Sequence, residues 1–161
     1  MKNDISAIGN ALVDTVFKVE QSFIAELGLE IDQMTLSSAE EHAPIIERLI
    51  ASGADTVSDC GGSATNSLVA AASFGAKCFH VCKVSEDQDG LRYLKSLKEA
   101  GVNHKGNTAL ADSVPTGKCL ILVTPDAKRT MTTALNVSSL MDESDLDLDQ
   151  IANSKIFYIE G

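Results

Sequence analysis

GGSATNSLVA, residues 61–70, is the stretch whose reading decides the fold. Two adjacent glycines let the backbone pass close to a neighbour or a ligand and present bare N–H groups. The Ser, Ala, Thr and Leu residues behind them read as a helix. Its first N–H groups lack intrahelical partners and carry partial positive charge. Asn66, in the first turn, adds an amide that both donates and accepts. The combination suits a polyhydroxylated or anionic small molecule. It suits equally a tight turn into a helix packed on a sheet, so the flanking sequence has to decide.

Upstream, 55–59 reads as an edge strand leading into the glycines. Before it, Ser38 and Glu41 form a capping box. The box opens a helix with Ile45, Ile46, Leu49 and Ile50 on one face, ended by Gly53. Residues 22–27 form a short helical turn closed by Gly28, and 30–36 a short strand. Between Ile5 and Val19 the chain reads ISAIG, NALVD, TVFKV: a strand, a bend at Gly9 and Asn10, then a second strand. Downstream, the helix over 63–74 is apolar nearly all round and is expected to be buried against a sheet, with Gly75 as its stop. Residues 77–84 are a strand. Asp89 is placed to cap a helix over 90–100 on which Leu91, Leu94 and Leu97 recur, with Gly101 as its C′ residue. Strand, helix, strand, helix in this order implies an α/β layer with parallel strands.

A hairpin then breaks the alternation. Its strands are 117–124 and 129–135, and Pro125 and Asp126 supply its turn. Ser144 or Asp145 caps a short acidic helix, and 155–159 is a strand of buried type, after which the sheet looks unfinished.

A chain of 161 residues is long enough for one sizeable core. Its net charge of −10 argues against a nucleic-acid backbone or an anionic membrane surface as partner. No apolar run reaches the length of a membrane span, and the first residues carry no signal-peptide pattern. The four cysteines fit a reduced cytoplasm. Cys78 and Cys82 share a strand face with His80 between them, but the spacing matches no zinc pattern and buried free thiols are the expectation. A dinucleotide-binding domain is a poor reading because no G-x-G-x-x-G follows the first strand. PTGK at 115–118 lacks the first glycine of a Walker loop and is followed by Cys119 where a hydroxyl is needed.

Taken together, IGNALVD (8–14), DCGGSATNSLVAAASFG (59–75), VSEDQDGLRYLKSLKEAGV (84–102), PTGKCLILVTPDAKRTM (115–131) and YIEG (158–161) resemble the ribokinase-like, PfkB-type carbohydrate kinases. Adenosine kinases and their bacterial relatives are the nearest members. The resemblance runs in the family's order over nearly the whole chain. It implies a ribokinase-like α/β/α sandwich with a small β lid over the acceptor site. The lid strands would be drawn from about 14–36, 55–60 and 117–135. In some members the lid mediates a homodimer.

The resemblance also implies roles. Asp14 matches the sugar-hydroxyl acceptor, and a carboxylate can accept two hydroxyl hydrogen bonds and so fix a vicinal diol. Asn66 would hold a neighbouring hydroxyl, Gly61, Gly62 and Ser63 would offer backbone groups, and Asn10 lies beside them. Gln33, Met131 and Leu135 match positions lining a nucleoside pocket, and Arg129 matches a lid arginine that approaches phosphate. The implied activity is ATP-dependent phosphorylation of the primary hydroxyl of a nucleoside or sugar, adenosine to AMP first, as in purine salvage. A ribose- or fructose-type sugar kinase, or a truncated non-catalytic binding module, are the alternatives.

The family's catalytic base is an Asp in a GAGD motif, which these residues lack. That base, the pocket for ATP and Mg2+, and a monovalent-cation site belong to the family's second half. The chain is therefore expected to be the acceptor-binding N-terminal half, with no catalytic or metal-ligating residue and no turnover of its own.

Overall fold

The computed structural model describes residues 2–109 and 114–161. Its centre is a four-stranded sheet in the order β6 (Val102–Ala109), β5 (Cys78–Ser85), β1 (Asn3–Ile8), β9 (Ser154–Ile159). Every neighbouring pair runs parallel. Parallel strands covered on both faces read as unbroken apolar runs, and β5, CFHVCKVS, is buried along almost all of its length. Ile5, Ala7, Cys78, Cys82 and Val84 form one face. They pack with Leu68 of α3 (Ser63–Ser73) and with Tyr93 and Leu97 of α4 (Gln88–Glu99). The opposite face carries Ser6 and Lys83. Ser6 donates to the Gln150 carbonyl of α5 (Leu148–Ala152) at 3.4 Å. Lys83 Nζ donates to the Leu140 carbonyl at 3.1 Å and pairs with Asp145 at 2.8 Å. Helical layers on both faces make this the expected α/β/α sandwich.

A second, five-stranded sheet has the order β3 (Met34–Leu36), β8 (Arg129–Ala134), β7 (Gly117–Val123), β2 (Leu12–Lys18), β4 (Thr56–Gly61). It is mixed: β2 runs parallel to β7 and antiparallel to β4, and β7 with β8 is the expected hairpin. Phe17, Leu120 and Leu122 point to one face, where they pack with Ile24 of α1 (Gln21–Glu26) and Leu49 of α2 (Ala39–Ala51). Side chains alternate across a strand, so the other face carries Leu12, Asp14, Cys119, Ile121, Met131 and Thr133.

The Ser38–Glu41 capping box forms as read. Other local expectations need correction. Ile50, grouped with Ile45, Ile46 and Leu49 on one face of α2, is 70% exposed. Leu49 is buried in the core with Ile24, and Ile45 and Ile46 pack against it, so the apolar stripe is one residue narrower than expected. Asp87 caps α4 through the Gly90 N–H at 2.7 Å, in place of Asp89. This starts the helix earlier and leaves Leu91 exposed while Tyr93 takes the buried face.

The helix at the glycine pair is covered on one face only: Ala64, Thr65 and Leu68 are buried and Phe74 is exposed. Of 30–36 only the last three residues are strand, since Asp32 takes a positive φ in a turn. The acidic helix is capped by Asp147, two residues beyond the candidates. β6 carries too many polar residues to read as a strand, and β5 recruits it by register. The buried-type strand at 155–159 is an edge strand with Ile156, Phe157 and Ile159 exposed.

Candidate functional site

The two sheets meet where the chain leaves β1 for β2 and where β4 runs into α3. A cleft of about 480 Å³ opens at that junction. One wall is the free face of the second sheet: Leu12 and Asp14 of β2, Cys119 and Ile121 of β7, Arg129, Met131 and Thr133 of β8, Met34 and Leu36 of β3. The ladders align these in rows, Asp14 beside Cys119 beside Thr133, and Ile121 beside Met131 beside Met34. The other wall is the first turn of α3, with Gly62, Ser63 and Asn66, and Asn10. Leu135, Glu160 and Gly161 also line it.

Two glycines make this geometry. Gly62 is the N-cap of α3 with φ +95, a backbone conformation that side-chain-bearing residues rarely adopt. A side chain there would also run into the Asn10 carbonyl. Gly61 yields to a side chain instead of to backbone: a methyl built on it would overlap the carboxyl group of Asp14. The Asp14 carboxylate therefore lies over Gly61 at the mouth of α3. No side chain caps that helix, so its first N–H groups stay available at the cleft.

The electrostatics divide the cleft. Burial pushes the Asp14 pKa above the ordinary carboxylate range; Arg129 opposes the shift and Asp59, directly opposite on β4, adds to it. Arg129 is exposed and is the single cation among the described lining residues. Thr133 donates to the Cys119 sulfur at 3.2 Å, and burial raises the thiol's pKa, so Cys119 faces the cleft as a neutral group. Asn10 Oδ1 accepts from the Ser138 hydroxyl at 3.1 Å, which fixes its amide. One end of the cleft thus gathers a carboxylate, two amides and a helix N-terminus, with Leu12 beside them, and β7, β8 and β3 bring Ile121, Met131, Met34 and Leu36 to the other.

Of the candidates from sequence, Asn10, Asp14, Gly62, Ser63, Asn66, Arg129, Met131 and Leu135 line this one cleft, and Gly61 lies beneath Asp14. Gln33 does not line it. Its side chain is exposed and its carbonyl accepts from the Met131 N–H at 2.8 Å, which leaves the next residue, Met34, facing inward. Thr133, a polar candidate with Thr132 and Asn136 for a plain sugar, does line the cleft. Leu12, Met34, Leu36, Cys119 and Ile121 line it without having been singled out by the sequence. Their signal was period-2 alternation around Asp14 and Met131, visible once strand pairing is known. A larger groove of about 720 Å³ lies between α1 and the hairpin tip, but its lining includes none of these residues.

Cys78 and Cys82 are buried free thiols, as expected, and the buried His80 between them is engaged with Thr65 and Tyr93. Among the described residues no three His, Cys, Asp or Glu gather where a metal ion could sit.

Comparison with known proteins agrees with the fold. The adenosine kinase of Sinorhizobium meliloti superposes with a TM-score of 0.90 at 30% identity, over 99% of this chain and 47% of that one. A probable sugar kinase of Rhizobium etli gives 0.88 at 27% identity, with the same coverage. The ribokinase of Dictyostelium discoideum is 28% identical over 106 residues, which is 65% of this chain and 33% of that protein. The chain therefore spans about half the length of the solved kinases and a third of the ribokinase. The pfkB family carbohydrate kinase pattern matches residues 23–161. Fold, motif order and this match agree: the chain belongs to the pfkB family of carbohydrate kinases.

Proposed function

We propose that this chain binds a nucleoside, adenosine first, and presents its primary hydroxyl for ATP-dependent phosphorylation. The observation that carries the reading is the two-ended cleft. Asp14 and Asn66 at the polar end match a vicinal diol, and Met34, Leu36, Ile121 and Met131 at the other end match the faces of a flat base. Asp14 accepts two sugar hydroxyls, Asn66 and the backbone at Gly61, Gly62 and Ser63 hold the neighbouring atoms, and Asn10 supports them. Arg129, the cation at the start of β8, faces the transferred phosphoryl group. Phosphoryl transfer is mostly positioning and charge stabilisation, and these residues supply the positioning of the acceptor.

In this reading the chain is the acceptor-binding half of a cytoplasmic kinase. ATP with Mg2+ is the donor; they, any monovalent cation and the catalytic base are held by residues outside these 161, which alone turn over no ATP. The second sheet closes over the acceptor as a lid and excludes water. No helix among the described residues is long and apolar enough to cross a membrane.

Titration calorimetry with adenosine and with ribose tests the reading. Covering about 100 Å² of base is worth about 2.5 kcal/mol, so adenosine should bind about 70-fold more tightly than ribose. Equal affinities, or tighter ribose, favour the sugar-kinase reading, for which Thr133 at the apolar end offers a hydroxyl. Binding of neither sinks both.

A further inference from the structure

Behind the cleft, out of reach of any ligand in it, three polar side chains meet inside the core. Thr65, His80 and Tyr93 are each fully buried. Thr65 Oγ1 lies 3.2 Å from His80 Nε2 and in a short hydrogen bond with the Tyr93 hydroxyl, which is itself 3.4 Å from Nε2. The other ring nitrogen, Nδ1, is 3.3 Å from the Ala7 carbonyl. A carbonyl can only accept, so Nδ1 carries the proton and Nε2 is an acceptor. The ring is then neutral, in keeping with a pKa lowered to about 4, chiefly by burial. Two hydroxyl protons serve the triangle: one passes between Thr65 and Tyr93, the other points at Nε2. Every member is satisfied, and among the described residues no buried side-chain polar atom is left without a partner.

The triangle joins four elements, β1 through Ala7, β5 through His80, α4 through Tyr93 and α3 through Thr65. Thr65 is the only tie to α3. It sits in the first turn of that helix, directly before Asn66, whose N–H makes a 2.9 Å bond to the Gly62 carbonyl and so begins the helix. We propose that Thr65, His80 and Tyr93 are positioning residues: their hydrogen-bond triangle anchors the first turn of α3 and thereby sets Asn66 and the 62–63 backbone against Asp14. The proposal rests on the acceptor-site reading for its consequence, but the anchoring is a property of the fold.

Thr65 allows an unusually clean test. Thr65→Val keeps shape and removes the hydroxyl; Thr65→Ser keeps the hydroxyl and removes a methyl. If the side chain merely filled space, Val would be the benign change and Ser the harmful one. Anchoring reverses the order. Hydrogen exchange at the Asn66 amide, read by NMR on the purified protein, should speed about fivefold to tenfold in Thr65→Val, the loss of one buried hydrogen bond, and stay within twofold of wild type in Thr65→Ser. Adenosine affinity should follow the same order.

The partner change Tyr93→Phe, combined with Thr65→Val, should add little to the latter alone, since either breaks one unit. Thr65→Val that leaves Asn66 exchange unchanged, or Ser that perturbs it as much as Val, overturns the proposal. Should the wild type bind neither adenosine nor ribose, the acceptor reading fails while the exchange data still decide the anchor.

Discussion

Replacing Gly61 with alanine separates the acceptor site from the fold that carries it. The new methyl overlaps the carboxyl carbon and both oxygens of Asp14, and meets no backbone atom among its nearest neighbours. Asp14 can rotate away, so the cost to folding is that of modest overpacking, about 1–3 kcal/mol. Non-bonded heavy atoms settle near 3.5 Å, which requires the carboxylate to retreat by about 1 Å. A retreat of that size takes it out of hydrogen-bond reach of a fixed diol. Each hydrogen bond to a charged group is worth about 1.5–3 kcal/mol, so losing two predicts a drop in acceptor affinity of about 10²- to 10⁴-fold.

The assay is calorimetry with adenosine beside thermal unfolding of the same preparation. Gly62→Ala provides the contrast, since there the clash is with the Asn10 carbonyl and φ is +95, and the fold itself should suffer. Gly61→Ala that binds within threefold of wild type would refute the placement of Asp14 over this glycine. So would an unfolded variant, which would mean that the glycine serves the backbone.

Three further outcomes follow from the charges. Burial raises the Asp14 pKa, so the folded state binds that proton more tightly than the unfolded chain; the group destabilises at neutral pH, and this is relieved as pH falls through its folded pKa. Asp14→Asn should therefore raise the melting temperature at pH 7 while abolishing acceptor binding, and a lower melting temperature would contradict the sign. His80 works in the opposite sense. Its folded pKa of about 4 lies below the ordinary 6.5, so its contribution is present above pH 6.5 and is lost as pH falls toward 4. A melting-temperature series over that window should be steeper for wild type than for His80→Gln; His42 and His104, both also lowered chiefly by burial, add components common to both. Lys83→Met leaves Asp145 without its 2.8 Å ion pair in a site where the two side chains are 16% and 8% exposed. Denaturant unfolding should show a loss of about 3 kcal/mol, and a loss under 1 kcal/mol would place that pair on a par with an exposed one.

How much of this was legible in the sequence depended on whether a signal was local. The capping box at Ser38 and Glu41, the C′ glycine at 101 and the turn at Pro125 and Asp126 are written within a few residues, and they form as read. So is the glycine pair with Asn66. The failures are cases where a distant element decides. Asp89 reads as the cap, and Asp87 takes the role because Thr116 arrives from the chain entering β7: its N–H donates to Asp87 at 2.8 Å and its hydroxyl at 2.7 Å. Lys118 then takes Asp89 as its ion-pair partner at 2.8 Å. Val102–Ala109 is too polar to declare itself a strand and is made one by pairing with β5. The apolar half of the cleft was missed for the same reason. Met34, Ile121 and Met131 lie far apart in sequence and become one surface only when β3, β7 and β8 are laid side by side.

That dependence explains why the site sits where two kinds of element join. The polar half is local in sequence, encoded by Asn10 to Asp14 and by Gly61 to Asn66, with Asp14 and Gly61 on β2 and β4 of the second sheet and Asn66 on α3. The apolar half belongs to the second sheet, whose other face packs on α1 and α2. Val13 of β2 and Cys60 of β4 extend that sheet into the core beneath α3 and α4, and the Asp87–Thr116 and Asp89–Lys118 contacts add polar ties to the first layer. Asp14 itself belongs to β2 of the second sheet, so any shift of that sheet would carry Asp14 and the apolar residues together past Asn66 and the first turn of α3. The polar groups of the cleft therefore come from both sheets, and their spacing depends on the pairing of β2 with β4, which sets Asp14 over Gly61 at the point where β4 enters α3.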